Sequence, residues 1–134
     1  METAERRARR RSRKHRKSIM AVLYATIREV DTITIVDLSG RISLGEGSAL
    51  LRRTVRDLLD NGHTRILLNL GDVNYIDSSG IGELVSGFTA VRSREGQLKL
   101  LNLTKKVHDL LQITKLFTVF EVYSDEGTAV GSFG

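Results

Sequence analysis

The sequence predicts a single α/β domain on a small mixed sheet of four to five strands, with helices mainly on one face. Three observations carry that prediction. Two β-patterned runs, residues 21–30 and 32–38, flank a short polar turn, as in an antiparallel hairpin. Amphipathic repeats then alternate with short apolar runs, an order that demands parallel strands joined by right-handed crossovers. Finally, 134 residues with 40 % apolar and 28 % charged content suit one core.

Taken in order, Val22, Tyr24 and Ile27 mark the first extended segment, and Glu29-Val30-Asp31 makes the expected turn. Thr32 to Leu38 alternates polar and apolar residues before Gly40, as a strand with one buried face does. Gly45-Glu46-Gly47 reads as a loop, with Ser48 as the cap of the following helix. That helix buries Leu50, Leu51, Val55, Leu58 and Leu59, turns Arg52, Arg53 and Arg56 outward, and ends at Asn61-Gly62. Arg65 to Leu70 is the central strand, followed by an expected loop over 71–76. A second helix carries Ile81, Leu84, Val85, Phe88 and Val91 on one side and stops at Gly96. Gln97 to Leu101 is the next strand, Thr104 to Gln112 a third helix, Val119 to Tyr123 a last strand, and a weak helix starts at Asp125.

The net charge of +5 is unevenly placed. Residues 1–20 hold nine Lys/Arg against Glu2 and Glu5, a charge of +7, whereas the remainder holds twelve against fourteen acids, a charge of −2. The chain thus divides into a basic tail, residues 1–19, expected to be disordered by its own repulsion, and a mildly acidic domain, 20–134. The tail is either a solvated extension or an arm making weak contact, through residues 6–17, with nucleic acid or an anionic surface. It has no aromatic residue on which a base could stack. Met20, just before the first strand, is a candidate alternative translation start.

Several function classes are excluded or unsupported. Zero cysteines rule out disulfides, thiolate metal sites and a cysteine nucleophile. His15, His63 and His108 have no partner at metal-ligand spacing, His63 reading as a solvated loop residue and His108 as a helix-surface one. Gly45-Glu46-Gly47-Ser48 lacks the Gly-Lys-[Ser/Thr] ending of a phosphate loop, and no Gly-x-Ser-x-Gly elbow occurs. No enzyme activity, metal or cofactor is expected. No apolar run approaches the ~18–20 residues of a membrane span, and a cytoplasmic location is expected.

One segment stands apart: Asp77-Ser78-Ser79-Gly80-Ile81-Gly82, at the start of the second helix. Asp77 or Ser78 can accept hydrogen bonds from the first-turn N–H groups. A cap does not explain Gly80 and Gly82, each costing up to ~1 kcal/mol of helix propensity. Bare backbone beside two hydroxyls suits the close approach of another protein, or of a kinase. A phosphate here would be tolerated by the helix N-terminus, yet would repel a partner packed on the same corner.

With Ile66-Leu67-Leu68-Asn69-Leu70 and Leu98-Lys99-Leu100-Leu101-Asn102-Leu103 on either side of it, this run resembles the STAS-domain anti-sigma factor antagonists of bacteria over residues 21–126. The resemblance implies partner switching. The unphosphorylated antagonist binds a serine-kinase anti-sigma factor and frees a sigma factor; the kinase phosphorylates the antagonist, and a phosphatase restores it. The implied phosphoacceptor is Ser78, and Asp77, Ser79, Gly80, Ile81, Gly82, Arg41 and Ser43 are implied partner contacts. Many members carry Gly-Glu-[Leu/Ile]-Asp where this chain has Gly40-Arg41-Ile42-Ser43, so two negative charges are lost and one positive is gained. The rival expectations are a STAS scaffold that docks in another signalling assembly without phosphorylation, a nucleic-acid binder driven by residues 6–17, and a nucleotide-binding domain using Gly45–Ser48.

Overall fold

The computed structural model describes residues 22–134. The expected disordered tail, the contact expected of residues 6–17, Met20 and Ala21 lie outside the described residues. Strands β1 (Leu23–Val30) and β2 (Ile33–Ile42) form the antiparallel hairpin, with Val30 opposite Ile33 across Asp31-Thr32. Helix α1 (Glu46–Asp60) leads to β3 (Arg65–Ile76), α2 (Ser78–Ser93) to β4 (Gln97–Leu101), and α3 (Lys105–Ile113) through a 3₁₀ turn at Phe117–Val119 to β5 (Val122–Tyr123). A short α4 (Glu126–Gly131) follows. The sheet order is β1-β2-β3-β4-β5, and every pair after the hairpin is parallel.

Side-chain alternation along the strands divides the core in two. Val36, Leu38, Ile66, Leu68, Leu70, Leu98 and Leu100 face the buried stripes of α1, α2 and α3, forming the larger core. Ile33, Ile35, Leu67 and Leu101 face the other way, against Ala129 of α4 and Phe133 just after it. The helices thus lie mainly on one face, as the sequence predicts, and the fourth covers part of the other.

The element limits differ from expectation in instructive places. The hairpin turn is Asp31-Thr32, with Asp31 at φ 57°, a left-handed conformation that Asp tolerates. Strand β2 continues through Gly40, which adopts φ 115° and lies against β1 so closely that a Cβ would stand 2.4 Å from the Val22 carbonyl oxygen. Strand β3 continues through the expected loop, pairing Ser39 with Asp72, Gly40 with Val73 and Ile42 with Ile76. Register shifts after Asp37 and Gly40 absorb the polar residues, and Val73 and Ile76 are buried while Asp72 and Asn74 face out. Helix α2 ends at Ser93 with Arg94 as its C-cap, and the left-handed residue that follows is Glu95 at φ 61°, not Gly96. The last strand is only two residues long because Phe117–Val119 coils into the 3₁₀ turn.

Candidate functional site

The extended ends of β2 and β3 bring two helix N-termini together over one spot. Gly47, in the first turn of α1, sits so near the Arg41 carbonyl oxygen that a Cβ would come within 2.3 Å of it. Gly80, in the first turn of α2, stands in the same relation to the Ile42 carbonyl oxygen, at 2.2 Å. Two bare backbone positions therefore seat both helices on consecutive residues of β2. Their positive dipole ends converge on the segment Ser43–Gly45 and the residues Asp77–Ser79.

Asp77 organises this corner. Its Oδ1 accepts from the Gly80 N–H at 2.9 Å and the Ser79 hydroxyl at 2.8 Å, and its Oδ2 accepts from the Leu44 N–H at 3.0 Å. One carboxylate thus caps α2 and pins the loop after β2 to it. Partial burial pushes the Asp77 carboxyl up, but these donors outweigh it and hold the group below the usual carboxylate range.

The two serines have opposite environments. Ser79 is half-buried; besides donating to Asp77, its Oγ lies 3.1 Å from the Oγ of Ser48, itself buried. The Ser48 hydroxyl is also 2.9 Å from the Ser43 carbonyl oxygen, which accepts the Ser48 N–H as well. Ser79 spends its proton on Asp77, so Ser48 is the donor of the pair whenever its hydroxyl turns from the Ser43 carbonyl to Ser79, and Asp77, Ser79 and Ser48 form one hydrogen-bonded chain. Ser78 is exposed, and its hydroxyl makes no hydrogen bond to another described residue. The first is a fastening; the second is free to react.

Other expected contacts fall on both sides of the surface. Gly82 is exposed with open space where a Cβ would be, as the approach argument requires. Gly80 is buried, and its bareness serves the packing on Ile42, which corrects the reading of it as an opening. Ile81 is 3 % exposed and belongs to the larger core. Ser43 is half-buried. The Arg41 guanidinium lies 3.9 Å from the centre of the Tyr75 ring, its neighbour by strand register, and its buried Nε has no hydrogen-bond partner among the described residues. The Lys106 ammonium is 5.8 Å from the same ring.

Two residues escaped the sequence reading. Leu44, 81 % exposed, is a large apolar side chain standing beside the Asp77 carboxylate it helps hold. A leucine flanked by Ser43 and Gly45 was the available signal. Ser48 is not the α1 cap; Gly45 occupies that position without a side-chain bond, and Ser48 lies one turn in. The expected nucleotide loop over Gly45–Ser48 is therefore mostly helix, with Gly47 and Ser48 buried. His63 is half-buried, 3.4 Å from the Thr34 hydroxyl, whereas His108 packs edge-on to Phe117 on the α3 surface.

A family model described as the STAS domain matches residues 24–129. The anti-sigma-B factor antagonist of Listeria monocytogenes is 34 % identical over 65 residues, 48 % of this chain and 57 % of that protein. The chain therefore spans little more than half the length of that relative. The anti-sigma-B factor antagonist of Bacillus subtilis is 32 % identical over 87 residues, 65 % of this chain and 78 % of its own length. The crystal structure of a putative anti-sigma factor antagonist from Thermotoga maritima superposes with a TM-score of 0.76 at 26 % identity, covering 81 % of this chain and 93 % of that one. Among the described residues, no helix is long and apolar enough to cross a membrane.

Proposed function

This chain belongs to the STAS domain family, a family of regulatory binding proteins rather than enzymes, and from that premise we propose that it is an anti-sigma factor antagonist. It binds a serine-kinase anti-sigma factor through the α1–α2 corner, displaces a sigma factor, and is released when the kinase phosphorylates Ser78. A phosphatase resets it. The observation that carries this reading is the division of labour between adjacent hydroxyls: Ser78 exposed and unbonded among the described residues, Ser79 tied to Asp77 and Ser48.

The physical consequence is a switch at the interface. The phosphate meets two helix N-termini, so the domain keeps its fold. A partner seated over Leu44, Ser78 and Gly82 instead meets about −1.5 to −2 charges and their desolvation cost. A 100-fold loss of affinity requires only ~2.7 kcal/mol. The test is calorimetric binding to a serine-kinase anti-sigma factor from the same organism. Ser78→Ala should bind like the native chain and Ser78→Asp about 100-fold more weakly; equal binding of both variants would contradict the switch.

A second reading is a docking module that is never phosphorylated. It is favoured by Arg41 and Ser43, which replace two acids of the family pattern beside the corner. Intact partner binding with no modification of Ser78 by that partner and ATP would select it.

A further inference from the structure

We propose that the outer edge of β1 is a self-association surface, on which a second copy of this chain pairs antiparallel about a two-fold axis through Ile27. The first observation is the contrast between the two edges of the sheet. β5, at one end, is two residues long, too short to template another strand. β1, at the other, runs for eight residues, and among the described residues no strand lies on its outer side. Its stretch Leu23-Tyr24-Ala25-Thr26-Ile27 carries no charge and no proline, and its register with β2 is unbroken, so the usual guards of an open edge are missing. Two large apolar side chains stand out there, Tyr24 at 63 % and Ile27 at 46 % exposure.

The second observation is where the backbone points. The Val22 carbonyl accepts the Arg41 N–H, and the register runs from Leu23 opposite Gly40 to Val30 opposite Ile33. Antiparallel residues that exchange hydrogen bonds alternate with those that do not, so Tyr24, Thr26, Arg28 and Val30 bond to β2. Ala25, Ile27 and Glu29 therefore turn their N–H and C=O groups to the open edge. A copy with Ile27 on the axis pairs that residue with its own counterpart, and Ala25 with Glu29. On the α1 face, a groove of about 480 Å³ between β1 and α1, lined by Ala25, Ile27, Leu50 and Leu58, receives the second copy's Ile27. On the opposite face Tyr24 lies against the second copy's Val30.

Symmetry and charge select a copy of this chain as the occupant. With β5 so short, β1 of one copy can meet only β1 of another, and a two-fold pairing closes at two chains. The same axis sets α1 antiparallel to its counterpart. Asp57 stands at the rim of the groove with Arg53 one turn before it, both exposed and in no ion pair among the described residues. The axis brings Arg53 of each copy to Asp57 of the other. Antiparallel pairing also sends the two Ser78 corners to opposite ends of the joined sheet, so each stays open to its own partner.

Sedimentation velocity on the full chain, from about 1 µM to about 1 mM, should show a reversible shift from monomer to dimer. Ile27→Lys sets two ammonium groups side by side on the axis and should weaken the dimer about tenfold or more. Gln112→Lys, on the exposed side of α3, should leave it unchanged. Arg53→Glu should weaken it about fivefold, and adding Asp57→Arg should restore it. The chain has no cysteine, so Ile27→Cys should cross-link to its counterpart under mild oxidation, across a Cα separation of ~5.5 Å. Thr32→Cys, in the hairpin turn, should not. A monomer at every concentration, a dimer indifferent to Ile27→Lys, no rescue by the double charge reversal, or equal cross-linking at positions 27 and 32 would overturn the proposal. Ser78→Asp should dimerise like the native chain, so failure of the phosphorylation switch leaves this inference standing.

Discussion

At the end of β2, a carboxylate and a hydroxyl face outward over two helix N-termini; beneath α4, on the opposite side of the sheet, charged groups turn inward and close the fold. Arg28 of β1 donates to both oxygens of Asp37, at 2.6 and 3.1 Å, and to both of Glu126 in α4. Lys99, 3 % exposed, donates to the carbonyl and hydroxyl of Ser132, lies 3.3 Å from Glu121 and sits over the Phe133 ring. Arg65 donates to the Phe133 carbonyl. The contrast follows from apolar area. The corner stands on a cluster of twenty buried hydrophobic residues, whereas the α4 face has six. A surface supported by the larger cluster can gain or lose charge without unfolding; the smaller one depends on its ionic fastenings.

The largest expected effect falls on the α4 face. Phe133→Ala empties a buried site in the six-residue cluster and should cost about 3–4 kcal/mol in chemical denaturation, while leaving partner affinity unchanged in the folded fraction. Equal losses of stability and affinity would erase the distinction between the two regions.

Next comes a pair of glycines within one helical turn. Gly80→Ala drives a methyl into the Ile42 carbonyl and the side chains of Ile42 and Ile76, and should cost about 2–3 kcal/mol despite the gain in helix propensity. Gly82→Ala meets open space and should stabilise the domain by up to ~1 kcal/mol while weakening partner binding. Thermal melts of the two variants should shift in opposite directions.

This pair shows how far the sequence was legible. Both glycines read alike there, because a propensity argument sees a missing side chain and not its surroundings; only the run of β2 beneath Gly80 separates them. Likewise the sequence pattern ends β3 at Leu70, since Gly71-Asp72 and Asn74 resemble loop chemistry. Yet Val73 and Ile76 recur on the buried side, and two register shifts let the polar residues ride in the strand. Element order and the helical stripes of α1 and α2 were readable from short-range periodicity, and residue chemistry narrowed the α2 cap to Asp77 or Ser78. The contact between Ser48 and Ser79, and Lys99 buried under α4, depend on residues 31 and 33 positions apart. No local pattern encodes them.

Smaller effects sharpen the comparison. Asp77→Ala removes the α2 cap and the tie to Leu44, and should cost about 1–2 kcal/mol together with partner affinity. Acidification should act on the opposite face as well as on Asp77, whose donors also hold it low. The Arg28 hydrogen bonds hold Asp37 and Glu126 below the usual carboxylate range. Their contribution is therefore complete above the unfolded-state values near ~4 and is lost as pH falls through the lower folded-state ones. At their partial exposure each pair is worth under about 1 kcal/mol. Amide exchange in α4 should accelerate below about pH 4 before that of α1 does; simultaneous loosening would count against an ionic fastening.

Site-resolved mass spectrometry, after incubation with ATP and the cognate kinase, asks the central question in one step: which of two neighbouring hydroxyls takes the phosphate. All of it is predicted on Ser78, at the same yield in Ser79→Ala provided that variant remains folded. Phosphate on Ser79 would mean that the bonded hydroxyl, and not the free one, is the reactive group.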